Sequence, residues 1–177
     1  MKASWEEFLK IISSNVYLKK SIFIKWTKLF PSFVKLNTDG SCRNDSCGGG
    51  GIVRDHEGKL IIDFSLVVGQ GTSNWAEAVA LLFRMSWCRN NGYKNVQAEN
   101  DSKLLVDCVK KKSTPPWTIA NEVKRLQDFF NQSEYSITHY NREINQVADN
   151  LASLSHNYNT NILYSNNGNS PPKSKGL

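Results

Sequence analysis

Lys35-Leu-Asn-Thr-Asp-Gly-Ser-Cys42, followed closely by Gly49-Gly-Gly-Ile-Val-Arg-Asp55, sets the frame for the whole chain. Val34–Asp39 reads as a strand that carries an acid at its end. Gly51–Arg54 and Leu60–Val68 are β-branched runs joined by the turn Asp55-His-Glu-Gly58. Three such runs in succession predict an antiparallel meander. No helix start follows Gly48–Gly51, so these glycines do not make a phosphate cradle; they fit a strand that needs close backbone packing.

Downstream the period changes. Asn74–Asn90 is helical, with Ala76, Ala80, Leu81, Phe83, Met85, Trp87 and Cys88 as a broad apolar face and Gly92 as the stop. Asn95–Glu99 is a short strand with Val96 and Ala98 on one face. Ser102–Lys111 is a helix on Leu104, Leu105, Cys108 and Val109, and Thr118–Phe130 is another, following Pro115-Pro116. Tyr135–Tyr140 is a strand and Gln146–Ser155 a helix on Val147, Leu151 and Leu154. A meander followed by strand–helix alternation predicts an α/β fold, a mixed sheet with helices on both faces. Residues 1–31 form an N-terminal extension in which Trp5, Phe8, Leu9 and Ile12 have the spacing of a short helix. Residues 32–156 make the domain. Residues 157–177, rich in Asn, Ser, Pro and Gly, are expected to be a disordered tail.

At 177 residues the chain suits one domain with appendages, and its charge of +6 suits a polyanionic partner. No apolar run is long enough to span a bilayer, and acids near the start disfavour a targeting peptide. The expectation is a soluble, intracellular, monomeric protein without a membrane partner. Cys42, Cys47, Cys88 and Cys108 show no zinc spacing, and reduced thiols are expected.

Four acids stand out, each from a different element: Asp39, Glu77, Asp101 and Asp149. Taken singly, each has an ordinary explanation. Asp39-Gly40 can be a turn. Asn74 with Glu77 three residues on resembles a capping box, and Asp101 can cap the helix from Ser102. Asp149 lies off the apolar stripe of its helix, on a face that solvent would cover. Brought together by folding, the four would repel one another unless divalent cations neutralised them. Hard oxygen ligands select Mg²⁺ or Mn²⁺, and two such ions side by side serve in-line displacement at phosphorus.

The order and context of these acids resemble the ribonuclease H type 1 family. Lys35–Cys42 with Gly49–Asp55 is similar to that family's first hairpin, Thr72-Ser-Asn-Trp-Ala-Glu-Ala-Val-Ala-Leu81 to its first helix, and Val96-Gln-Ala-Glu-Asn-Asp-Ser102 to its fourth strand. Arg142-Glu-Ile-Asn-Gln-Val-Ala-Asp-Asn-Leu-Ala152 is similar to its last helix. The likeness is greatest to the plant reverse-transcriptase-like, retroelement-derived domains and covers about Ile24 to His156. It implies an endonuclease that hydrolyses the RNA strand of RNA/DNA hybrids with two Mg²⁺ ions, Mn²⁺ substituting, and leaves 5′-phosphate ends. By the resemblance, Asp39, Glu77, Asp101 and Asp149 bind the metals, Asp39 bridging them. Asn74 reaches the minor-groove edge of the bases, and Thr72 helps hold a phosphate of the DNA strand. Ser41, Cys42 and Ser102 lie along the RNA strand, although turn and cap chemistry explains such residues equally well.

The chain departs from that pattern in three places. Cys42-Arg-Asn-Asp-Ser-Cys47 is short, leaving Asn44 as a weak substitute for the usual loop contacts. Between Ser102 and Tyr135 there is no long basic insertion, only Lys110-Lys-Lys112 and the proline pair. The loop Asn141-Arg-Glu-Ile-Asn145 lacks a histidine. Arg142 is its expected electrostatic substitute, while His139, inside a strand, reads as structural, and His56 and His156 as non-catalytic. The alternative is a catalytically weak or inactive nucleic-acid-binding domain derived from a retroelement.

Overall fold

The computed structural model describes residues 29–132, 134–142, 145–157 and 160–165. The helix expected around Trp5–Ile12 lies outside them. The predicted meander forms from β1 (Phe33–Arg43), β2 (Ser46–Arg54) and β3 (Leu60–Gln70), antiparallel throughout. β1 does not stop at Asp39-Gly40. It continues to Arg43, and the chain turns at Asn44 and Asp45, whose φ angles of 47° and 63° these two residue types tolerate. The turn explanation for Asp39 therefore falls.

That register sets Cys42 directly opposite Cys47, and a disulfide joins them with their Cα atoms 4.1 Å apart. The expectation of reduced thiols is corrected for this pair; only the position of the turn reveals that the two side chains face each other. Cys88 and Cys108 are free and buried.

β4 (Asn95–Asn100) pairs in parallel with β1, and β5 (Glu134–His139) in parallel with β4. β6 (Ile162–Ser165) closes the far side antiparallel to β3, giving the order β5-β4-β1-β2-β3-β6. β6 lies within the stretch expected to be a disordered tail, so the sheet extends past the anticipated boundary. The short apolar run Ile162-Leu163-Tyr164 adds hydrogen bonds to an edge that β3 would otherwise leave open.

The helices are α1 (Ser73–Asn90), α2 (Lys103–Val109), α3 (Ala120–Gln132) and α4 (Gln146–Leu154), which runs on into a 3₁₀ turn at Ser155–Asn157. A methyl group on Gly49 would meet Cβ of Ala80 in α1 at 2.7 Å. One on Gly50 would meet the backbone of Ala148, Leu151 and Ala152 in α4. Successive strand residues point to opposite faces, so α1 and α4 cover opposite sides of the sheet. The main core lies on the α1 side, where Leu36, Val53, Leu81, Met85, Leu105, Ile119 and Leu126 are almost completely buried. Truncating one of these leucines to alanine costs about 2–5 kcal/mol.

α4 packs differently from expectation. Val147 and Leu154 are 44% and 38% exposed, and the buried residues are Ala148, Leu151 and Ala152. With only hydrogen beneath it at Gly50, the helix seats its backbone on the strand through small side chains. This rotation leaves Asp149 half-buried rather than on a solvated face.

Candidate active site

Gly40 sits under the first turn of α1, where a Cβ would collide with the backbone of Ala76 and Glu77. That contact presses Glu77 against Asp39, which is 3% exposed near the middle of β1. Asp101 follows the end of β4, the strand beside β1. The carboxylates of Asp39, Glu77 and Asp101 each offer an oxygen, and these oxygens all lie within 4.8 Å of one another. Asp149, early in α4, is not part of that tight group. Its Oδ1 accepts a hydrogen bond from Arg142 Nη2 at 3.0 Å, and a side-chain hydrogen bond between Asp149 and Asp39 helps to raise the Asp39 carboxyl.

The capping explanations for two of these acids do not hold. The N-cap of α1 is Thr72, whose Oγ1 accepts from Trp75 N at 3.3 Å, and Asn74 is an exposed residue inside the helix. The N-cap of α2 is Ser102, which accepts from Leu105 N, so Asp101 caps nothing there. Both acids are free for other chemistry.

Burial first, and then the neighbouring charges of Glu77 and Asp101, push the Asp39 carboxyl up to about 9. Burial likewise raises Glu77 to about 7, against the opposing hydrogen bond from Asn100. Apart from Arg142, which spends its charge on Asp149, no cationic side chain makes an ion pair with the four acids among the described residues. Crowded, desolvated carboxylates of this kind match a divalent cation in donor type, since hard oxygens are what Mg²⁺ and Mn²⁺ prefer.

Two asparagines absent from the sequence-based site complete the cluster. Asn100, fully buried, donates through Nδ2 to Glu77 Oε2 at 2.9 Å and contacts Thr38 O and Oγ1 at 3.3 Å. Asn145, 3% exposed, donates to Thr38 O at 2.8 Å and to Asp101 Oδ1 at 3.4 Å. Their adjacency to the acids, Asn100 next to Asp101 and Asn145 one helical turn before Asp149, was the available signal.

The remaining expected residues surround this centre. Ser41 Oγ lies 3.1 Å from His156 Nε2, so a histidine that sequence reasoning set aside touches a residue two positions beyond Asp39 on β1. Burial and Arg43 lower the pKa of that imidazole. Cys42 is held in the disulfide. His139, at the end of β5, contacts Asp101 O through Nε2 at 3.2 Å.

A six-stranded mixed sheet with a carboxylate cluster gathered around Asp39 of its central strand β1 defines a ribonuclease H-like fold. The chain matches the reverse transcriptase-like family over residues 37–155 and belongs to it. No curated protein matches it. Among solved structures it is similar to the ribonuclease H1 of the halophilic archaeon Halobacterium salinarum, at 22% identity and a TM-score of 0.67, over 71% of this chain and 98% of that one. It is also similar to the N-terminal ribonuclease H domain of a Mycobacterium tuberculosis protein, at 21% identity and 0.66, over 71% and 94%. A ribonuclease H1 isolated from compost and crystallised with an RNA/DNA hybrid matches at 23% identity and 0.62, over 68% and 94%. Among the described residues no helix is long and apolar enough to cross a membrane.

Proposed function

We propose that this protein is an endonuclease that hydrolyses the RNA strand of RNA/DNA hybrids and leaves 5′-phosphate ends. The observation that carries the reading is the convergence of the Asp39, Glu77 and Asp101 carboxylates within 4.8 Å, the first two buried and the third partly so, with no side-chain ion pair to any of the three among the described residues. Asp39, Glu77, Asp101 and Asp149 would hold two divalent cations, Mg²⁺ with Mn²⁺ as substitute. When bound, these ions supply an activated water nucleophile and charge neutralisation at the leaving 3′ oxygen.

The protein's own groups orient the substrate. Ser41 and Ser102 flank the cluster on the path of the RNA strand, and 2′-hydroxyl contacts there distinguish RNA from DNA. Asn74, exposed in the first turn of α1, is available to base edges, and Thr72 beside it to a DNA-strand phosphate. Cys42, its sulfur engaged, offers only backbone groups. Arg142, 75% exposed, neutralises the phosphate as it departs. It cannot donate a proton, because a guanidinium stays charged.

The test is incubation with labelled hybrid, single-stranded RNA and duplex DNA, with Mg²⁺ or EDTA, beside Asp39→Asn. Cleavage confined to the RNA of the hybrid, dependent on Mg²⁺ and lost in Asp39→Asn, is the expected result. Cleavage that persists in EDTA, or equal attack on single-stranded RNA, sinks the proposal. A second reading, a retroelement-derived domain that binds hybrid without cutting it, draws support from the hairpin tip closed by Cys42–Cys47. It predicts hybrid binding with no Mg²⁺-dependent product.

A further inference from the structure

The carbonyl of Thr38, the residue before Asp39, accepts hydrogen bonds from two buried amides that come from different elements. Asn100 Nδ2 approaches at 3.3 Å from the end of β4, and Asn145 Nδ2 at 2.8 Å from the loop before α4. Each amide also donates to a carboxylate: Glu77 Oε2 at 2.9 Å for Asn100, which contacts Thr38 Oγ1 as well, and Asp101 Oδ1 at 3.4 Å for Asn145. Asn100 also accepts from Ser102 N at 2.8 Å, which fixes the orientation of its amide. Asn145 accepts from Asp149 N through its backbone carbonyl and donates from its own N–H to Arg142 O, both at 3.0 Å. Its Oδ1 is buried without a hydrogen-bond partner.

We propose that Asn100 and Asn145 are positioning residues that hang Glu77 and Asp101 from one backbone carbonyl and so fix the spacing of the acids around Asp39 before any cation arrives. This rests on the metal-dependent reading above and deepens it. The physical need is clear. Three carboxylates crowded together without a cation, two of them buried, repel one another, and flexible side chains would rotate apart. An N–H donor held at each of two acids opposes that spreading, and a carboxylate already in place loses less freedom when an ion binds. An amide suits the task because it carries two donors on one nitrogen, one for the strand and one for the acid. A lysine would cancel the charge that attracts the cation. Asn145 also connects to Asp149 and Arg142 through its backbone, so one residue sets the loop, the last helix and the second amide contact together.

The experiment uses the full chain and Mn²⁺ alone, with affinity measured by calorimetry and by electron paramagnetic resonance at low temperature, where every variant is folded. Asn145→Ala and Asn100→Ala are compared with the wild type and with Gln146→Ala, an exposed position in α4. Asn145→Ser and Asn100→Ser accompany them in case the alanine variants do not fold, since a single O–H cannot serve two acceptors. The expected result is a loss of Mn²⁺ affinity of roughly 10–100-fold in the asparagine variants. Hybrid KM should stay nearly unchanged, and turnover should recover as Mn²⁺ is raised. A merely structural role lowers the thermal midpoint but leaves Mn²⁺ affinity at its wild-type value, and that result overturns the proposal. Wild-type protein that binds no Mn²⁺ overturns the metal reading beneath it. Wild type that binds Mn²⁺ normally without cutting hybrid removes the nuclease reading while the affinity comparison still decides the role of the asparagines.

Discussion

The two ends of one strand face treat charge in opposite ways. Lys35, Asn37 and Asp39 alternate along β1 and so share a face. At the Lys35 end the accounts balance. Lys35 Nζ meets Glu99 Oε1 at 2.7 Å with both side chains 2% exposed. Asn37 donates to Glu99 Oε2 at 2.9 Å, and Arg54 reaches Asn37 Oδ1 at 3.4 Å. Four residues beyond Lys35, Asp39 meets two more acids, and the groups that donate to those acids are neutral amides. The first arrangement is complete within the protein. On the proposed reading the second is completed by divalent cations, and the contrast then separates charges that serve the fold from charges that serve a ligand.

Removing a charge should therefore have opposite consequences at the two ends. Asp39→Asn should abolish hybrid cleavage and leave the metal-free thermal midpoint equal or higher, because it relieves crowding. Glu99→Ala should cost about 3–5 kcal/mol by stranding buried Lys35, while some cleavage survives at low temperature. Denaturant unfolding of both variants, paired with a cleavage assay, checks the contrast; a destabilised Asp39→Asn would show that its carboxylate supports the fold after all.

A pH titration sharpens the same comparison. The folded-state values of Asp39, about 9, and Glu77, about 7, lie above their ordinary carboxylate values. The folded protein then binds more protons than the unfolded chain between the two sets of values, so metal-free stability falls as pH rises. The window opens near pH 4, closes near pH 7 for Glu77 and continues to about 9 for Asp39. Thermal midpoints in EDTA should decline across it, less steeply in Asp39→Asn, and saturating Mg²⁺ should flatten the curve. A metal-free midpoint that climbs from pH 5 to 8 would contradict the crowding.

The smallest effects belong to the rim. Asp149→Asn should slow turnover less than Asp39→Asn, since Asp149 stands outside the tight group and is 35% exposed. Its pair with Arg142 is a surface one, so breaking it costs less than about 1 kcal/mol. Arg142→Ala should slow turnover modestly with little change in hybrid affinity, whereas His139→Ala should act mainly through stability. Single-turnover rates and pH–rate profiles of both separate the roles; a near-neutral limb that vanishes in His139→Ala would make His139 the proton carrier.

The sequence made the strand order of the meander, the long helix and the four acids legible, because period-2 and period-3.6 patterns and the acid contexts are local. What escaped depended on pairing across distance. The Cys42–Cys47 bridge needs the turn at Asn44-Asp45, β6 needs an open edge on β3, and the Lys35–Glu99 pair needs parallel β1 and β4. Arg84 escaped for a related reason. It is fully buried with its Cζ 4.1 Å above the Phe64 ring and 5.0 Å from Trp87, and burial lowers its pKa to about 10. No pattern within α1 marks an arginine for such a place. The asparagines were passed over because amides near acids are common and their value lies in which carbonyl they share.

The glycine run in β2 implies a particular kind of fragility. Helices press on that strand from both sides, α1 at Gly49 and α4 at Gly50. The strand thus behaves as a spacer whose thickness is set by the atoms it lacks. A methyl at Gly50 would act as a shim under α4, lifting the helix that carries Asp149 away from the strand that carries Asp39. Such a variant could keep its sheet and its core while the gap between acids no longer fits an ion. Tolerance to change in this protein should accordingly be lowest where the side chains are smallest.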